Sequence, residues 1–388
     1  MLKITGTLSH FGVFDQIHIM ATWEEGLPIV ESLDETRQVV RISRAPLERQ
    51  SGMFWKIAKT LLWSWRIRRF LAGRKIDCIN SHSLAVLPLC VYLKSRHGAK
   101  LIYDTHELET ETDGCTGIRQ FLSKFVEKKL IRYVDEVSVV SESIAQWYRD
   151  TYSLNRVHVI RNVPYRPSSL PAPTRLLRDR YGIADHEMVF LYHGTISEER
   201  GVDLLLRIFA RLDRSKHIVF MGFGNRTAAV TEYAARHENI HYQPAVPPDE
   251  LLPYTCGADI GIHLIKNTCL NHYYCLPNKI WEYLNASLPV LISDLYEMGR
   301  LVDRFDCGWK CKPRERDAHE LIQSITWGAL GEKKKGVAES QRHFGWQLEE
   351  APLLEIYKQL GWTPEEGSRE ASPGKEPSDH ARARDNAA

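Results

Sequence analysis

Short apolar runs alternate with helical patterns along most of the chain, and this alternation restricts the fold more than any other feature. The runs are too short for buried helices and are rich in β-branched residues, so they predict strands. The first series is Ile17–Ala21, Val39–Ile42, Asp77–Ile79, Leu101–Tyr103, Val137–Val140 and Val157–Ile160, and the second is Val189–Tyr192, Ile218–Met221, Ile260–Leu264 and Val290–Ile292. The helical patterns cover Phe54–Leu71, Ile118–Tyr133, Val202–Leu212, Arg226–His237 and Lys279–Ala286. This order predicts an α/β fold with parallel βαβ units in two doubly wound sheets.

A proline-rich segment separates the two series. Four prolines lie within Pro164–Pro173, where neither a helix nor a central strand can continue, so the segment predicts an interdomain linker. A long surface loop within one domain is the alternative. We therefore expect a first Rossmann-like domain over residues 1–164, a linker over 165–180 and a second such domain over 181–342. A helix is expected over 343–360, and the polar tail 361–388 is expected to be disordered.

Charge and cysteine content argue against several classes of protein. Lys and Arg number 51 and Asp and Glu number 49, so the formal net charge of +2 gives no general attraction to nucleic acid. None of the eight cysteines forms a C-x-x-C pair, so a zinc site is not expected. Dispersed cysteines without a secretory signal favour a reducing cytoplasm, and no apolar run is long enough to predict a transmembrane helix.

The residues that follow each strand are the first candidates for a site, because doubly wound sheets bind ligands beyond the carboxyl ends of their strands. In the first domain, Tyr103–Glu107 (YDTHE) offers Asp, His and Glu, which suit a ligand that bears hydroxyl groups. A helix N-terminus with a capping Asp or Thr is the alternative interpretation. In the second domain, His193–Gly201 (HGTISEERG) combines a glycine turn, a following helix N-terminus and Arg200, which together suit a phosphate.

The best-marked segment of the second domain is Leu276–Pro289 (LPNKIWEYLNASLP). Asn278 is predicted to cap a short helix, which would place Lys279 and Glu282 on one face. A Glu in the first turn can bind two ribose hydroxyls while the free N–H groups hold a diphosphate. An ordinary helix–strand unit, in which Glu282 only pairs with Lys279, is the alternative.

In this order, these motifs resemble the GT-B glycosyltransferases of family 4. The resemblance covers about residues 8–360 and is carried by YDTHE, HGTISEERGVDLLL (His193–Leu206), VFMGFG (Val219–Gly224) and LPNKIWEYLNASLPVLIS (Leu276–Ser293), while His343–Leu360 is similar to the family's closing helix. The resemblance implies two Rossmann-like domains that face a cleft, with a C-terminal helix that crosses back to the first domain. It also implies sugar transfer from a nucleotide sugar to a hydroxyl, with retention and without a metal.

The resemblance assigns a role to individual residues. His106 matches the histidine that faces the donor sugar, and Arg200 matches the basic residue, commonly Lys, that neutralises the diphosphate. Gly194 matches the glycine that opens the phosphate loop, and Glu282 matches the second Glu of the E-x7-E motif, which binds the ribose. The expected catalytic residues are His106 and Arg200, and the expected donor-binding residues are Gly194, Thr195, Asn278, Lys279 and Glu282, with no metal ligand and no cofactor. The donor implied is a UDP- or GDP-sugar.

Three features depart from the family pattern. Thr195 stands where the family usually has Arg, which removes one phosphate cation. Tyr274 stands at the first position of E-x7-E and cannot act as a carboxylate, a change that LPNK-type members share. Phe14–Ala21 already resembles the family's second strand, so either the first strand and its glycine loop are missing or Leu2–Thr5 is a shortened substitute.

A second segment of interest is Phe54–Arg74, which combines Trp and Phe with six Lys and Arg residues. This composition is typical of a helix on an anionic bilayer, and a domain helix with an aromatic core face is the alternative. Relatives often modify lipid-linked acceptors, so we expect a cytoplasmic protein at the inner face of the membrane, in polysaccharide or glycolipid synthesis. The alternative functions are a non-catalytic relative that acts as a membrane-associated partner and an epimerase-like enzyme.

Overall fold

The computed structural model describes residues 1–47, 50 and 52–364, without the side chain of Met53. Most of the predicted tail, from residue 365 to the end, lies outside the described residues. The chain divides into two compact units. Unit 1 comprises Met1–Arg161 together with the described residues from Glu349 onward, and unit 2 comprises Asn162–Leu348.

Strands and helices alternate through both units. Within the described residues the strands are β1 Ile17–Thr22, β2 Val30–Ser32, β3 Arg37–Ile42, β4 Cys78–Ser81, β5 Lys100–Thr105, β6 Glu136–Val139, β7 Val157–Val159, β8 Met188–Thr195, β9 Lys216–Phe223, β10 Ile240–Pro244, β11 Ile260–His263, β12 Val290–Ser293 and β13 Gly308–Cys311. The α-helices of the same residues are α1 Leu2–His10, α2 Met53–Phe70, α3 Leu87–His97, α4 Gly117–Leu130, α5 Glu142–Tyr152, α6 Leu176–Tyr181, α7 Val202–Phe209, α8 Thr227–Ala234, α9 Pro248–Thr255, α10 Leu270–Tyr274, α11 Asn278–Asn285, α12 Tyr296–Phe305, α13 Glu315–Ser324, α14 Trp327–Ser340 and α15 Trp346–Gln359.

Unit 1 contains a parallel sheet in the order β4-β5-β6-β7 and a smaller sheet in the order β1-β3-β2. Ser81 lies opposite Tyr103 in the register of β4 and β5, so the carboxyl ends of these two strands lie side by side. The closing helix α15 joins this unit through Tyr357, whose hydroxyl accepts a hydrogen bond of 2.6 Å from the Asn80 amide. The predicted return of the C-terminal helix to the first domain is therefore confirmed.

Unit 2 contains one parallel sheet of six strands in the order β10-β9-β8-β11-β12-β13. The chain runs outward from β8 through β9 to β10 and then returns to the other side of β8 at β11. The carboxyl ends of β8 and β11 therefore form a topological switch point, where α/β sheets bind ligands. Helices cover both faces of this sheet, because its strands are apolar on both sides and bury residues such as Phe190 and Leu191 completely.

The structure differs from the sequence predictions in several places. Residues Leu2–His10 form helix α1, with Ile4 and Leu8 buried one turn apart, so the interpretation of Leu2–Thr5 as a shortened first strand is wrong. Helix α6 overlaps the end of the segment 165–180 that was predicted as a linker, and the unit boundary falls before Asn162. Strands β2, β10 and β13 were not predicted.

Candidate active site

The first element of the candidate site in unit 2 is the glycine-rich end of β8. Gly194 lies opposite Gly222 in the parallel register, and a Cβ on Gly222 would lie 2.0 Å from the carbonyl oxygen of Gly194. The two strands therefore approach each other as only glycine allows. Gly194 has a φ of +103°, and both Gly194 and Thr195 are exposed to solvent. The strand end thus presents bare backbone at the switch point of the sheet.

Helix α11 brings a cation to this backbone. It begins at Asn278, its N-cap residue is Pro277, and no side-chain cap is formed among the described residues, so the predicted capping role of Asn278 is wrong. The Lys279 Nζ atom lies 4.2 Å from the centre of the Tyr192 ring. The same atom lies 3.5 Å from the position that a Cβ on Gly194 would occupy. The residues predicted from HGTISEERG and from LPNK are therefore brought together.

The charge of Lys279 is held in an unfavourable environment. Burial, together with the positive charge of Arg200, lowers the pKa of Lys279 to about 7, although the Glu282 carboxylate acts in the opposite direction. Desolvation favours the neutral amine. A diphosphate placed here would supply negative charge beside the amine, so the electrostatics suit an anionic ligand.

Arg200 approaches the same position from another loop. It ends the 3₁₀ turn Glu198–Arg200, and the next residue, Gly201, has a φ of +78° at the start of α7. A Cβ on Gly201 would lie 1.8 Å from the carbonyl oxygen of Leu264, just beyond β11. The turn is therefore packed tightly on the end of β11, and this packing fixes the backbone position of Arg200.

Glu282 lies on α11 beside a buried histidine that the sequence analysis did not assign. The Nε2 atom of His193 is 3.5 Å from a carboxylate oxygen of Glu282, and the Glu282 side chain is one-third exposed. Burial, assisted by the charge of Lys279, lowers the pKa of His193 to about 3, so this contact is made by a neutral imidazole at pH 7. The backbone N–H of His193 donates to the Tyr283 hydroxyl at 3.1 Å, which ties β8 to α11.

His263 is a second histidine that the sequence analysis missed. It ends β11, is fully buried, and neither ring nitrogen has a hydrogen-bond partner among the described residues. Burial, then the charges of Lys279 and Arg200, lower its pKa well below the usual value. Its position near the carboxyl end of a strand, like that of His193, is the sequence signal that could have marked it as a candidate site residue.

Tyr274 occupies the position of the absent first carboxylate. It ends helix α10, and its ring centre lies 5.2 Å from that of Tyr273 and 5.6 Å from that of Tyr296. An aromatic cluster therefore occupies this position instead of a carboxylate.

Unit 1 holds a separate cluster at the ends of β4 and β5. One oxygen of Asp104 lies 2.9 Å from Nδ1 of His82 and 3.3 Å from Nε2 of His106. The Ser138 hydroxyl donates to the other oxygen at 2.7 Å. Burial opposes the charge of Asp104, but the hydrogen bonds and charges of His106 and His82 hold its pKa well below the usual value.

This cluster bears on two predictions. Asp104 lies within strand β5, and a 3₁₀ turn rather than an α-helix follows, so the helix-capping interpretation of YDTHE is wrong. The nitrogen and oxygen atoms of His82, Asp104 and His106 lie within 4.8 Å of one another, and such a group could hold a divalent metal ion. The expectation of a metal-independent site stays a prediction.

Comparisons with known proteins identify the relatives of both units. The family model described as Glycosyltransferase Family 4 matches residues 16–163, and the model described as Glycosyl transferases group 1 matches residues 187–327. No curated protein sequence matches the chain.

Several solved structures share the fold. Sucrose-phosphate synthase from Thermosynechococcus elongatus is 15% identical, with 92% of each chain covered and a TM-score of 0.76. Anabaena HepE in complex with UDP-glucose is 12% identical over 83% of this chain and 86% of that chain, with a TM-score of 0.65. WaaG, a glycosyltransferase involved in lipopolysaccharide biosynthesis, is 15% identical over 92% of this chain and 94% of that chain, with a TM-score of 0.60. At these identities the similarity concerns the fold.

Proposed function

Because this chain belongs to the GT-B glycosyltransferases of the family 4 type, and is therefore a transferase enzyme, we propose that it moves a sugar from a UDP- or GDP-sugar to a hydroxyl acceptor with retention. The observation that carries the donor side of this proposal is the convergence of Lys279, Arg200 and Gly194 at the switch point of unit 2. Two cations beside bare backbone N–H groups suit a diphosphate. The structure of HepE with UDP-glucose supports a UDP-sugar as the first donor to test.

The nucleoside is assigned to Glu282. Its carboxylate is partly exposed and its neighbour His193 is neutral, so we propose that it accepts hydrogen bonds from both ribose hydroxyls. Thr195 and Asn278, which lie beside Gly194 and Lys279 in the chain, complete the proposed donor site.

The chemical step follows from where charge develops. When the bond between the anomeric carbon and the β-phosphate oxygen breaks, new negative charge forms on that phosphate, and Arg200 and Lys279 stabilise it. One well-placed cation is worth about 3 kcal/mol, or roughly 100-fold in rate. Tyr274 offers no carboxylate nucleophile, so we propose attack on the same face, with the leaving phosphate oxygen accepting the proton of the acceptor hydroxyl. His106 is assigned to the transferred sugar, and we propose no metal and no cofactor.

The acceptor side is proposed to involve a membrane. Helix α2 exposes Phe54, Ile57, Leu61 and Trp65, which are between 45% and 73% accessible, and it carries no acidic residue. The rest of the helix behaves as a domain helix with an aromatic core face, which was the alternative interpretation. Trp63 and Phe70 pack on the cluster of Ile67 and Leu71, and Arg66 donates to backbone carbonyls. Among the described helices none is long and apolar enough to cross a bilayer. We propose that the exposed face of Phe54–Arg74 rests on the anionic inner face of the membrane and that the acceptor is lipid-linked, as in polysaccharide or glycolipid assembly.

The experiment that tests the donor site begins with a thermal-shift screen of UDP-, GDP- and ADP-sugars, because a ligand that binds the native state raises its melting temperature. The strongest donor is then used to measure nucleotide release with and without acceptor alcohols in Arg200→Ala and Glu282→Ala. We expect roughly 100-fold slower release in Arg200→Ala. The controls are Arg236→Ala and Glu232→Ala, which remove the same side-chain types from an exposed pair on the same unit.

Two outcomes would contradict the proposal. If both site variants turn over at the parental rate, the site is assigned to the wrong residues. If nucleotide binds but its release never depends on an acceptor, a non-catalytic or epimerase-like relative is the better description.

A further inference from the structure

Helix α4 places four large apolar side chains in solvent and its single carboxylate in the interior. Ile118, Phe121, Leu122 and Phe125 are 79%, 68%, 53% and 54% exposed. Their spacing puts them on one face of the helix. Glu127, in contrast, is completely buried. This is the reverse of an ordinary surface helix, in which the apolar stripe faces the core.

Three tyrosines explain why α4 keeps this orientation. The hydroxyls of Tyr103 and Tyr148 donate to one oxygen of Glu127 at 3.0 Å and 2.8 Å, and the hydroxyl of Tyr152 donates to the other at 2.6 Å. Turning the apolar stripe inward would expose the carboxylate and leave three hydroxyls of unit 1 without their acceptor. Buried polar groups without partners are costly, so the hydrogen bonds fix the rotation of the helix. The exposed stripe is therefore built into the fold.

The charges that α4 itself exposes are all positive. Lys124, Lys128 and Lys129 lie on the exposed side of α4, and the Lys129 ammonium lies 5.5 Å from the centre of the Phe125 ring. Lys124 reaches Glu111, outside the helix, at 2.6 Å, while α4 itself contributes no carboxylate other than the buried Glu127. An apolar stripe bordered by lysines is complementary to acyl chains beneath anionic headgroups.

Helix α4 is not the only helix of unit 1 that exposes aromatic and basic side chains. Helix α3 contacts α4 and packs against α2 through Leu89 and Leu93. Its Tyr92 is 44% exposed, and the guanidinium of Arg68 on α2 lies 5.8 Å from the centre of that ring. Consecutive helices of unit 1 therefore all carry exposed aromatic and basic side chains.

We propose that α4 is a second membrane-docking element, in which Phe121 and Phe125 enter the interface of an anionic bilayer and Lys128 and Lys129 contact its headgroups. This inference does not depend on sugar transfer. It differs from the proposed role of Phe54–Arg74 in its residues, so the two regions can be separated by mutation.

The test is flotation of the full chain with vesicles of equal phosphatidylglycerol and phosphatidylcholine at low salt. Phe121→Gln/Phe125→Gln and Lys128→Gln/Lys129→Gln are expected to lower the partition coefficient by at least about tenfold each, since one lysine near such a surface contributes roughly fivefold. The matched controls lie in unit 2: Leu170→Gln, at a side chain that is 70% exposed, and Lys312→Gln/Lys334→Gln, at exposed lysines. We expect parental binding from both controls and weak binding of the parent to pure phosphatidylcholine.

Because all four α4 side chains to be changed are exposed, melting temperatures should stay at the parental value, which separates docking from unfolding. A Phe54→Gln/Trp65→Gln variant measures the contribution of α2 separately, whatever the sugar-transfer assays give. The proposal is overturned if the parent ignores anionic vesicles, or if the α4 variants bind as the parent does. It is also overturned if sedimentation velocity shows a dimer that only the Phe121→Gln/Phe125→Gln variant disrupts while vesicle binding persists.

Discussion

Replacement of Lys279 by Met should stabilise the apo protein and weaken diphosphate binding in the same variant. The Lys279 Nζ atom lies over the Tyr192 ring, and Met puts an uncharged side chain of similar length in its place. Burial and the charge of Arg200 lower the Lys279 pKa to about 7, so the fold holds this cation at a cost in free energy. A diphosphate would offset that cost in the parent, whereas the thioether of the Lys279→Met variant has no charge with which to bind it.

The magnitude follows from the titration of the amine. With a pKa of about 7, the fraction of protonated Lys279 falls from about one-half at pH 7 to about 1% at pH 9. If the diphosphate binds the protonated form, its Kd rises about 50-fold over this range, or about 2.3 kcal/mol. The phosphates of UDP are ionised throughout, because their last pKa is near 6. The affinity therefore falls as pH rises.

The stability of the apo protein should change with the opposite sign. The ordinary pKa of 10.5 is lowered to about 7 in the fold, so the unfolded chain binds the proton that the folded chain releases between these values. The Lys279 amine thus lowers the free energy of unfolding increasingly as pH falls from about 10.5 to about 7. Lys279→Met should remove this slope and raise the melting temperature at pH 7.

Calorimetric titration of UDP at pH 7, 8 and 9 measures the first effect, and thermal unfolding without ligand measures the second. The control is Lys312→Met, at an exposed lysine of the same unit, which should keep the parental pH dependence. A parental Kd that is equal at pH 7 and pH 9 would refute the assignment of Lys279 to the diphosphate. So would a Lys279→Met variant that retains the full pH dependence.

Two further predictions concern packing. Gly201→Ala should lower the free energy of unfolding by about 3 kcal/mol, because the new Cβ would meet a backbone carbonyl at 1.8 Å. Gly182→Ala, at a similar φ of +67° with nothing within 4 Å, should lower it by only about 1 kcal/mol. Equal losses of the two variants in urea unfolding would contradict this. Glu127→Gln should lower the free energy of unfolding by about 1–3 kcal/mol, since an amide cannot accept from all three tyrosines. Glu142→Gln, at an exposed position of α5, should leave it nearly unchanged. If Glu127→Gln has no effect in the same assay, the tyrosines do not hold the helix.

The sequence predicted the central strands better than the edges, for a physical reason. Strands such as β8 and β9 are buried on both faces, and their sequences therefore contain continuous apolar runs. The missed strands β10 and β13 are the edges of their sheet and are only partly buried. Their sequences, IHYQP and GWKC, lack the apolar run on which the prediction relied.

Tertiary contacts explain what the sequence left open in the candidate site. The spacing of LPNK predicted a helix that carries Lys279 and Glu282, and the structure has that helix. The environment of Lys279 depends on Tyr192 and Arg200, which are far away in sequence and meet it only when β8 and α11 pack. The lowered pKa of Lys279 cannot be predicted from the local sequence, because its burial depends on how the whole unit packs.

Helix α4 shows the limit of periodicity more clearly. The segment was predicted as a helix, and an apolar stripe of this spacing normally indicates the face that packs on the core. The structure turns it outward because the tyrosines that bind Glu127 come from β5 and α5. The sequence pattern of one helix does not reveal which face will contact residues from other elements of the fold.

Lys279 and α4 share one physical property, although they lie in different units. Each holds a group in an environment that opposes folding: a desolvated cation in one case and solvent-exposed aromatic side chains in the other. In both cases surrounding contacts fix the unfavourable arrangement, namely the packed ends of β8 and β11 and the hydrogen bonds to Glu127. A ligand of complementary chemistry would stabilise a group that costs stability in the isolated chain and that several independent contacts hold in place. The two ligand classes proposed above, a diphosphate for unit 2 and an anionic bilayer for unit 1, are the two components that a lipid-linked glycosyl transfer would bring together.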